Sequence, residues 1–118
     1  MTRRGSSRSK ASAPRSDCPI ACSLDLIGDR WTLVIVRDLF MGKRRFSEFL
    51  GSGEGIKTNV LTERLKRLER SGLVERSPYQ EHPPRYEYQL TAAGRELSPV
   101  LKSIYTWGQA HLPGLGGS

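Results

Sequence analysis

Few side chains in this sequence are equipped for covalent or metal chemistry, and their spacing narrows the field quickly. The soft metal ligands are Cys18, Cys22, His82 and His111. No two of them stand at a recurrent zinc spacing, so no metal site is expected. Neither histidine sits in a nucleophile motif, and the acidic residues are spread along solvated faces, so no catalytic residue is assigned and the chain is not read as an enzyme. Gly51 to Thr58 approaches the phosphate-binding pattern G-x-x-x-x-G-K-[ST], but Ile56 stands where the second glycine is required. That side chain would keep the backbone from wrapping a pyrophosphate, and a helix rather than a strand precedes the loop. No nucleotide or other cofactor is expected.

Cys18 is the one residue with unusual reactivity in prospect. It directly precedes Pro19, which suits the first position of a helix, so Cys18 is placed at the N-cap. There the helix dipole and the free N–H groups favour a thiolate, which reacts with oxidants and electrophiles. The plainer reading, a small inert thiol, stays open. Cys22 falls one turn further on the same face, so a local bridge would require that turn to unwind. Both cysteines are expected as free thiols.

The chemistry this chain has in abundance is positive charge. Nineteen Lys and Arg against twelve Asp and Glu give 118 residues a formal charge of +7. That balance favours nucleic acid or an anionic surface as partner. The charge is concentrated on one stretch, Gly55 to Val74. Ile56, Leu61, Leu65, Leu68 and Leu73 follow the spacing of a helix that buries one stripe, and Asn59, Glu63, Lys66, Arg67 and Arg70 turn to the other side. Gly72 closes the helix. Such a face either presses into a polyanion or is simply solvated.

The remaining elements decide what this helix can do. Residues 1–16 carry five basic residues and no acidic one, a composition that cannot bury enough surface to order itself, so a disordered basic tail is expected. A short helix runs from Pro19 through Leu24 and Ile27 to Gly28. Asp29 is an N-cap for the next helix, whose Trp31, Val34, Ile35 and Leu39 share a face. After Gly42 and the basic turn Lys43-Arg44-Arg45, Phe46, Phe49 and Leu50 form a third short helix. The linker Gly51–Gly55 leads into the basic helix, giving a helix-turn-helix pattern. Alternation then changes to period two: Val74-Glu75-Arg76 and Tyr86, Tyr88 and Leu90 read as two strands of a hairpin. Pro78, Pro83 and Pro84 are expected to open the ladder into a loop carrying Arg85. Thr91 caps a last helix reaching about His111, which Pro99 kinks or restarts. Leu97, Leu101, Ile104, Tyr105, Trp107 and Gly108 give that helix more apolar surface than a single small core requires, favouring a dimer interface. Residues 113–118 are expected to be a disordered C-terminal tail. No apolar run approaches the ~18 residues of a membrane span and the N-terminus lacks an apolar signal core, so no membrane partner and a cytoplasmic location are expected.

Taken together these residues resemble the HxlR family of bacterial winged-helix regulators. The resemblance runs through Cys18-Pro19, Leu26-Ile27-Gly28-Asp29-Arg30-Trp31, Arg44-Arg45-Phe46 with Glu48, Leu61-Thr62-Glu63-Arg64-Leu65, Gly72-Leu73-Val74, Pro83-Pro84-Arg85, Glu87-Tyr88, Leu90-Thr91, Gly94, Pro99-Val100-Leu101 and Trp107-Gly108. It implies a mainly α fold with a small β-hairpin (α+β): a winged helix-turn-helix, three-helix core plus wing, with N- and C-terminal dimerisation helices, over residues 17–112. It also implies a homodimer that binds double-stranded DNA as a transcription regulator. The first and last helices would meet in the dimer through Leu24, Leu97, Leu101, Ile104, Tyr105, Trp107 and Gly108. Family members set the helix after the turn in the major groove and the wing along the adjacent minor groove or backbone. Some use the cysteine matching Cys18 to sense quinones, aldehydes or oxidants, so a small molecule or electrophile is a candidate effector.

On that template Lys57, Thr58 and Asn59 stand at the helix entrance, followed by Thr62 and Lys66. Asn59 is matched to an adenine edge, and the basic run Lys66, Arg67 and Arg70 to phosphate. Glu63 either accepts from a cytosine amino group or is neutralised by Arg67. Arg45 and Arg85 would clamp the DNA backbone on either side. A palindromic operator with half-sites about 10 base pairs apart, or a multiple, follows from a symmetric dimer. The alternative is a winged-helix interaction module whose basic face docks an acidic protein partner without reading bases.

Overall fold

Leu61, Leu65 and Leu68, on one side of a single helix, are each no more than 2% exposed, and the rest of the core gathers on them. In the computed structural model residues 16–115 are described; the basic tail expected over 1–16 lies, Ser16 apart, outside the described residues, as do 116–118. The elements in chain order are α1 (Pro19–Ile27), α2 (Thr32–Phe40), α3 (Phe46–Leu50), α4 (Thr58–Arg70), β1 (Val74–Glu81), β2 (Pro84–Leu90), α5 (Ala92–Arg95) and α6 (Ser98–His111). Against the leucine stripe of α4 pack Ile35, Val36 and Leu39 of α2, Phe49 of α3, Ile56, Val74 and Leu90. Burial of one apolar face per element is what holds helices this short, which are marginal on their own.

Local signals end these elements where the residue types ask. Asp29 accepts from the backbone N–H groups of Trp31 and Thr32 at 2.9 and 3.1 Å, capping α2 from two positions before Trp31. Glu48 Oε1 reaches back to the N–H groups of Arg44 and Arg45 at 2.7 and 3.0 Å and caps α3. At the end of α4, Gly72 takes φ +78°. Its N–H bonds to Glu69 O and the N–H of Leu73 to Leu68 O, each at 3.0 Å, the paired closure a left-handed residue permits.

The hairpin differs from expectation. The ladder does not open at Pro78: β1 and β2 pair from Val74↔Leu90 to Glu81↔Pro84, with Tyr79 as an extra residue between Pro78 and Gln80. The phase of the ladder explains why proline is tolerated. Tyr88 donates its N–H away from β1, to Arg44 O at 2.8 Å, so Arg76 and Tyr88 form a non-hydrogen-bonded pair. Two residues on, Pro78 and Tyr86 are in the same phase, and Pro78 has no ladder bond to lose. The bulge at Tyr79 then restores pairing out to the His82–Pro83 turn.

The last helix restarts rather than kinks. Thr91 Oγ1 accepts from Gly94 N at 3.1 Å and caps α5, which stops at Arg95; α6 begins afresh with Pro99 in its first turn. Leu97 and Leu101 rest on the core. Neither α1 nor α6 has a fully buried residue. The whole is a winged helix-turn-helix: α2, α3 and α4 around one core, the hairpin as wing, and a helix at either end.

Candidate nucleic-acid interface

The outer face of α4 begins at its N-cap, Lys57, and no side chain caps the helix there. The positive end of the helix dipole and its first-turn N–H groups therefore face outward together with Lys57, Thr58 and Asn59, all exposed. Glu63, Lys66 and Arg70 continue the exposed face, with Thr62 half-buried at its edge. Three helical turns thus present two hydroxyls, one amide, one carboxylate and a line of cations at the same surface.

Ion pairing divides the basic side chains into two groups. Arg37, Arg45, Arg64, Arg67 and Arg76 are each held by a carboxylate. Arg44, Lys57, Lys66, Arg70 and Arg85 make no side-chain hydrogen bond or ion pair among the described residues. Two of the expected DNA contacts, Arg67 and Arg45, fall into the first group. Arg67 turns inward, with Nη2 2.6 Å from Asp29 Oδ1 and 3.1 Å from Thr32 Oγ1. Its place at the border of the helix face lets it reach a carboxylate 38 residues earlier, and Glu63 is paired with Arg64 instead. Arg45, expected to clamp the DNA backbone, bonds Glu87 Oε2 at 3.0 Å through Nη2. Its guanidinium also covers the ring of Tyr79.

The same pairs position the wing and the turn. An isolated bridge joins Arg45 to Glu87, so the residue before α3 forms a third, minimal strand against β2. Arg76 Nε lies 3.2 Å from Glu69 Oε2 and its guanidinium 4.1 Å from the centre of the Tyr86 ring, tying β1 to the last turn of α4. The glycine-rich turn is held by Arg37, which bridges Asp38 at 2.9 Å and Glu54 at 3.0 Å. Arg85 stands exposed near the wing tip, in the register position opposite Gln80.

Asp29, which joins α2 to α4, is legible in the sequence only in part. Its capping role was legible from the residue type before an apolar run. Its two bonds to α4, Arg64 Nε at 2.8 Å and Arg67 Nη2 at 2.6 Å, join segments that no local pattern connects. Burial pushes its pKa up, but hydrogen bonds from Thr32 and Arg64, the Trp31 N–H and the charge of Arg64 outweigh this and hold it well below the ordinary carboxylate range. Arg44 and Arg70 match Lys66 in exposure and in having no side-chain partner among the described residues.

Away from this face, Cys18 is the exposed N-cap of α1 and receives no side-chain cap bond, and its N–H donates to Ser16 Oγ at 2.9 Å. Cys22 is half-buried and its Sγ donates to Ser16 O at 3.0 Å. Both thiols are free. Ile20 and Leu24 on α1, and Ile104, Tyr105 and Trp107 on α6, are each more than half exposed. Leu97 and Leu101, expected in the same interface, are half-buried and rest on the core, and Gly108 is half-buried. Among the described residues no group of three or more His, Cys, Asp or Glu side chains could hold a metal ion, and no helix is long and apolar enough to cross a membrane.

Comparison with known proteins places this geometry. The HxlR-like helix-turn-helix family model matches residues 26–114. The uncharacterized HTH-type transcriptional regulator sll1512 of Synechocystis sp. is 44% identical over 91 residues, 77% of this chain and 67% of that protein. Mycobacterial relatives at the same identity are spanned to 57% of their length, and the regulator YdeP of Bacillus subtilis, 39% identical, to 73%. The crystal structure of PA1607, a proposed transcription factor, superposes with a TM-score of 0.76 at 40% identity, over 86% of this chain and 70% of its own. The redox regulator HypR, in its oxidized form, gives a TM-score of 0.72 at 37% identity, over 80% of this chain and 97% of its own. The chain belongs to the HxlR-like helix-turn-helix family, a family of transcriptional regulators.

Proposed function

We propose that this protein is a sequence-specific transcription regulator that binds double-stranded DNA as a homodimer, with residues 17–112 as the working unit. The observation that carries the reading is that the cations on the outer face of α4 and at the wing tip, Lys57, Lys66, Arg70 and Arg85, stand exposed with no side-chain partner among the described residues. In this reading α4 enters the major groove by its N-terminus. Thr58, Asn59 and Thr62 meet base edges, Lys57 and Lys66 meet phosphate, and Glu63 accepts from a cytosine amino group. Arg44 and Arg70 join the phosphate contacts, and Arg85 reaches the neighbouring backbone from the wing. Arg45 and Arg67 serve as positioning residues.

The exposed apolar faces of α1 and α6 support the dimer. Helices of 9 and 14 residues with no fully buried side chain gain stability by packing on something further, and a second copy offers the matching face. Cys18, exposed beside that face, is the candidate thiol through which an oxidant or electrophile changes DNA binding. HypR, named as a redox regulator, supports this role.

The test is a fluorescence titration with random duplex DNA at two salt concentrations, followed by selection of bound sites from a random library. Steep salt dependence and recovery of a palindrome are expected, and Asn59→Ala changes the recovered sequence. Shallow salt dependence with no enriched site would replace this reading with an interaction module for an acidic protein.

A further inference from the structure

We propose that Asp29 is a specificity-determining positioning residue: it sets the rotation of α4 about its own axis by drawing Arg64 and Arg67 into one ionic clamp. The proposal rests on the reading of α4 as the DNA-reading helix, and it assigns that helix's alignment to a residue outside the helix-turn-helix.

Asp29 accepts five hydrogen bonds: Oδ2 from the N–H groups of Trp31 and Thr32 and from Arg64 Nε, and Oδ1 from Thr32 Oγ1 and Arg67 Nη2. Three fix the carboxylate to the first turn of α2, and two fix α4 to the carboxylate. The side chains of Asp29, Arg64 and Arg67 are 24%, 23% and 28% exposed, so water competes weakly for them. Arg64 is three residues before Arg67, on the same flank of α4, at the border between the buried stripe and the outer face. The buried Nε of Arg67 has no acceptor among the described residues, so Asp29 and Thr32 supply the hydrogen bonds this guanidinium makes.

The buried leucine stripe fixes which face α4 turns inward, and the clamp adds a directional constraint at its flank. Charge-assisted bonds are sensitive to angle as well as distance, so they narrow the rotation that packing permits. A side-chain atom about 6 Å from the helix axis moves roughly 2 Å when the helix turns by about 20°. That displacement breaks a base-edge hydrogen bond, whose length tolerates only tenths of an ångström. Asp29 holds Arg67 away from phosphate, and together with Glu63 it holds Arg64. It follows α1 directly after the cap residue Gly28, so a movement of α1 reaches α4 through this carboxylate.

Asp29→Asn tests this, because asparagine caps a helix as well as aspartate but cannot hold two guanidinium groups by charge. The selected operator and a random duplex are titrated across a salt series. The ratio of specific to random affinity should fall about tenfold, the worth of one misread base pair. At the same time the salt slope on random DNA should steepen by about 0.9 for each arginine that reaches a phosphate. Adding Arg64→Gln and Arg67→Gln to Asp29→Asn should return the slope to that of the unchanged protein while the ratio stays low. Arg67→Gln alone breaks the clamp from the helix side and should lower the ratio without steepening the slope; it carries the test if Asp29→Asn does not fold. An unchanged ratio in these variants overturns the proposal, as does a proportional loss of both affinities at constant slope, which marks a merely structural residue. If the unchanged protein itself shows no salt-dependent binding to DNA, the reading of α4 fails instead, and the two failures are told apart.

Discussion

The guanidinium carbon of Arg45 lies 3.7 Å from the centre of the Tyr79 ring. Tyr79 is the extra residue of the β1 bulge, and Arg45 is the N-cap of α3, so one cation–π contact locks the start of the helix-turn-helix to the wing. The Arg45 side chain is half-exposed, yet its charge already faces Glu87 at 3.0 Å. An arginine held from two sides makes a poor free cation and a good strut.

Salt dependence separates these roles. Arg85→Ala and Lys66→Ala should each flatten the slope of log affinity against log salt by about 0.9, one phosphate contact apiece. Arg45→Ala should leave the slope nearly unchanged while weakening operator binding, because the wing loses its anchor. Titrations of all three variants at several salt concentrations check this.

Acid should undo the Asp29 clamp in a defined direction. The folded-state pKa lies below the ordinary value, so the stabilisation is complete above roughly pH 5 and is lost as pH falls toward the folded value. Urea midpoints of the unchanged protein should drop more steeply between pH 5 and pH 3 than those of Asp29→Asn, and the two curves should converge at the acid end. Parallel curves would remove the linkage.

Gly94 is required for space. A Cβ built on it would stand 2.1 Å from Leu73 O and 3.0 Å from Leu90 Cδ2, and the Leu73 carbonyl already accepts from Thr91 N at 3.0 Å. Gly94→Ala should therefore push α5 off the base of the hairpin and destabilise the fold by roughly 1–3 kcal/mol. Thermal and urea unfolding measure it.

Charge on the exposed face of α6 should separate the copies. Ile104 is 53% exposed in the single chain. Ile104→Glu should sediment as a monomer with unchanged helix content. It should also lose operator affinity by about 100-fold or more, because the second half-site no longer adds its binding. A dimer that survives this change would move the interface elsewhere.

Cys18 should be necessary for any thiol response. A mild electrophile should shift the operator affinity of the unchanged protein and leave that of Cys18→Ser where it was. Equal shifts in both proteins would transfer the chemistry to another residue.

Much of the architecture was legible because it is written in short-range patterns. The leucine spacing of α4, the cap residues Asp29 and Thr91, the closing Gly72 and the period-two run of β2 each report a local preference. None of them needs a distant partner to be recognised. Pro78 is not legible in the same way, for the complementary reason. A proline's effect on a ladder depends on pairing phase, and here the phase is revealed by the bond from Tyr88 to Arg44, which no local window contains.

What the sequence by itself determined is the set of elements, the face each one buries and the supply of positive charge on α4. Only the tertiary structure decided which of those charges remain available. Arg67 and Arg70 look alike along the chain, yet one is held by Asp29 and the other is free. Arg45 and Arg85 divide in the same way, the first held by Glu87 and Tyr79. The physical reason is range. Helical periodicity assigns a side chain to a face within a few residues, but an ion pair is chosen by whatever carboxylate the completed fold carries to within about 3 Å.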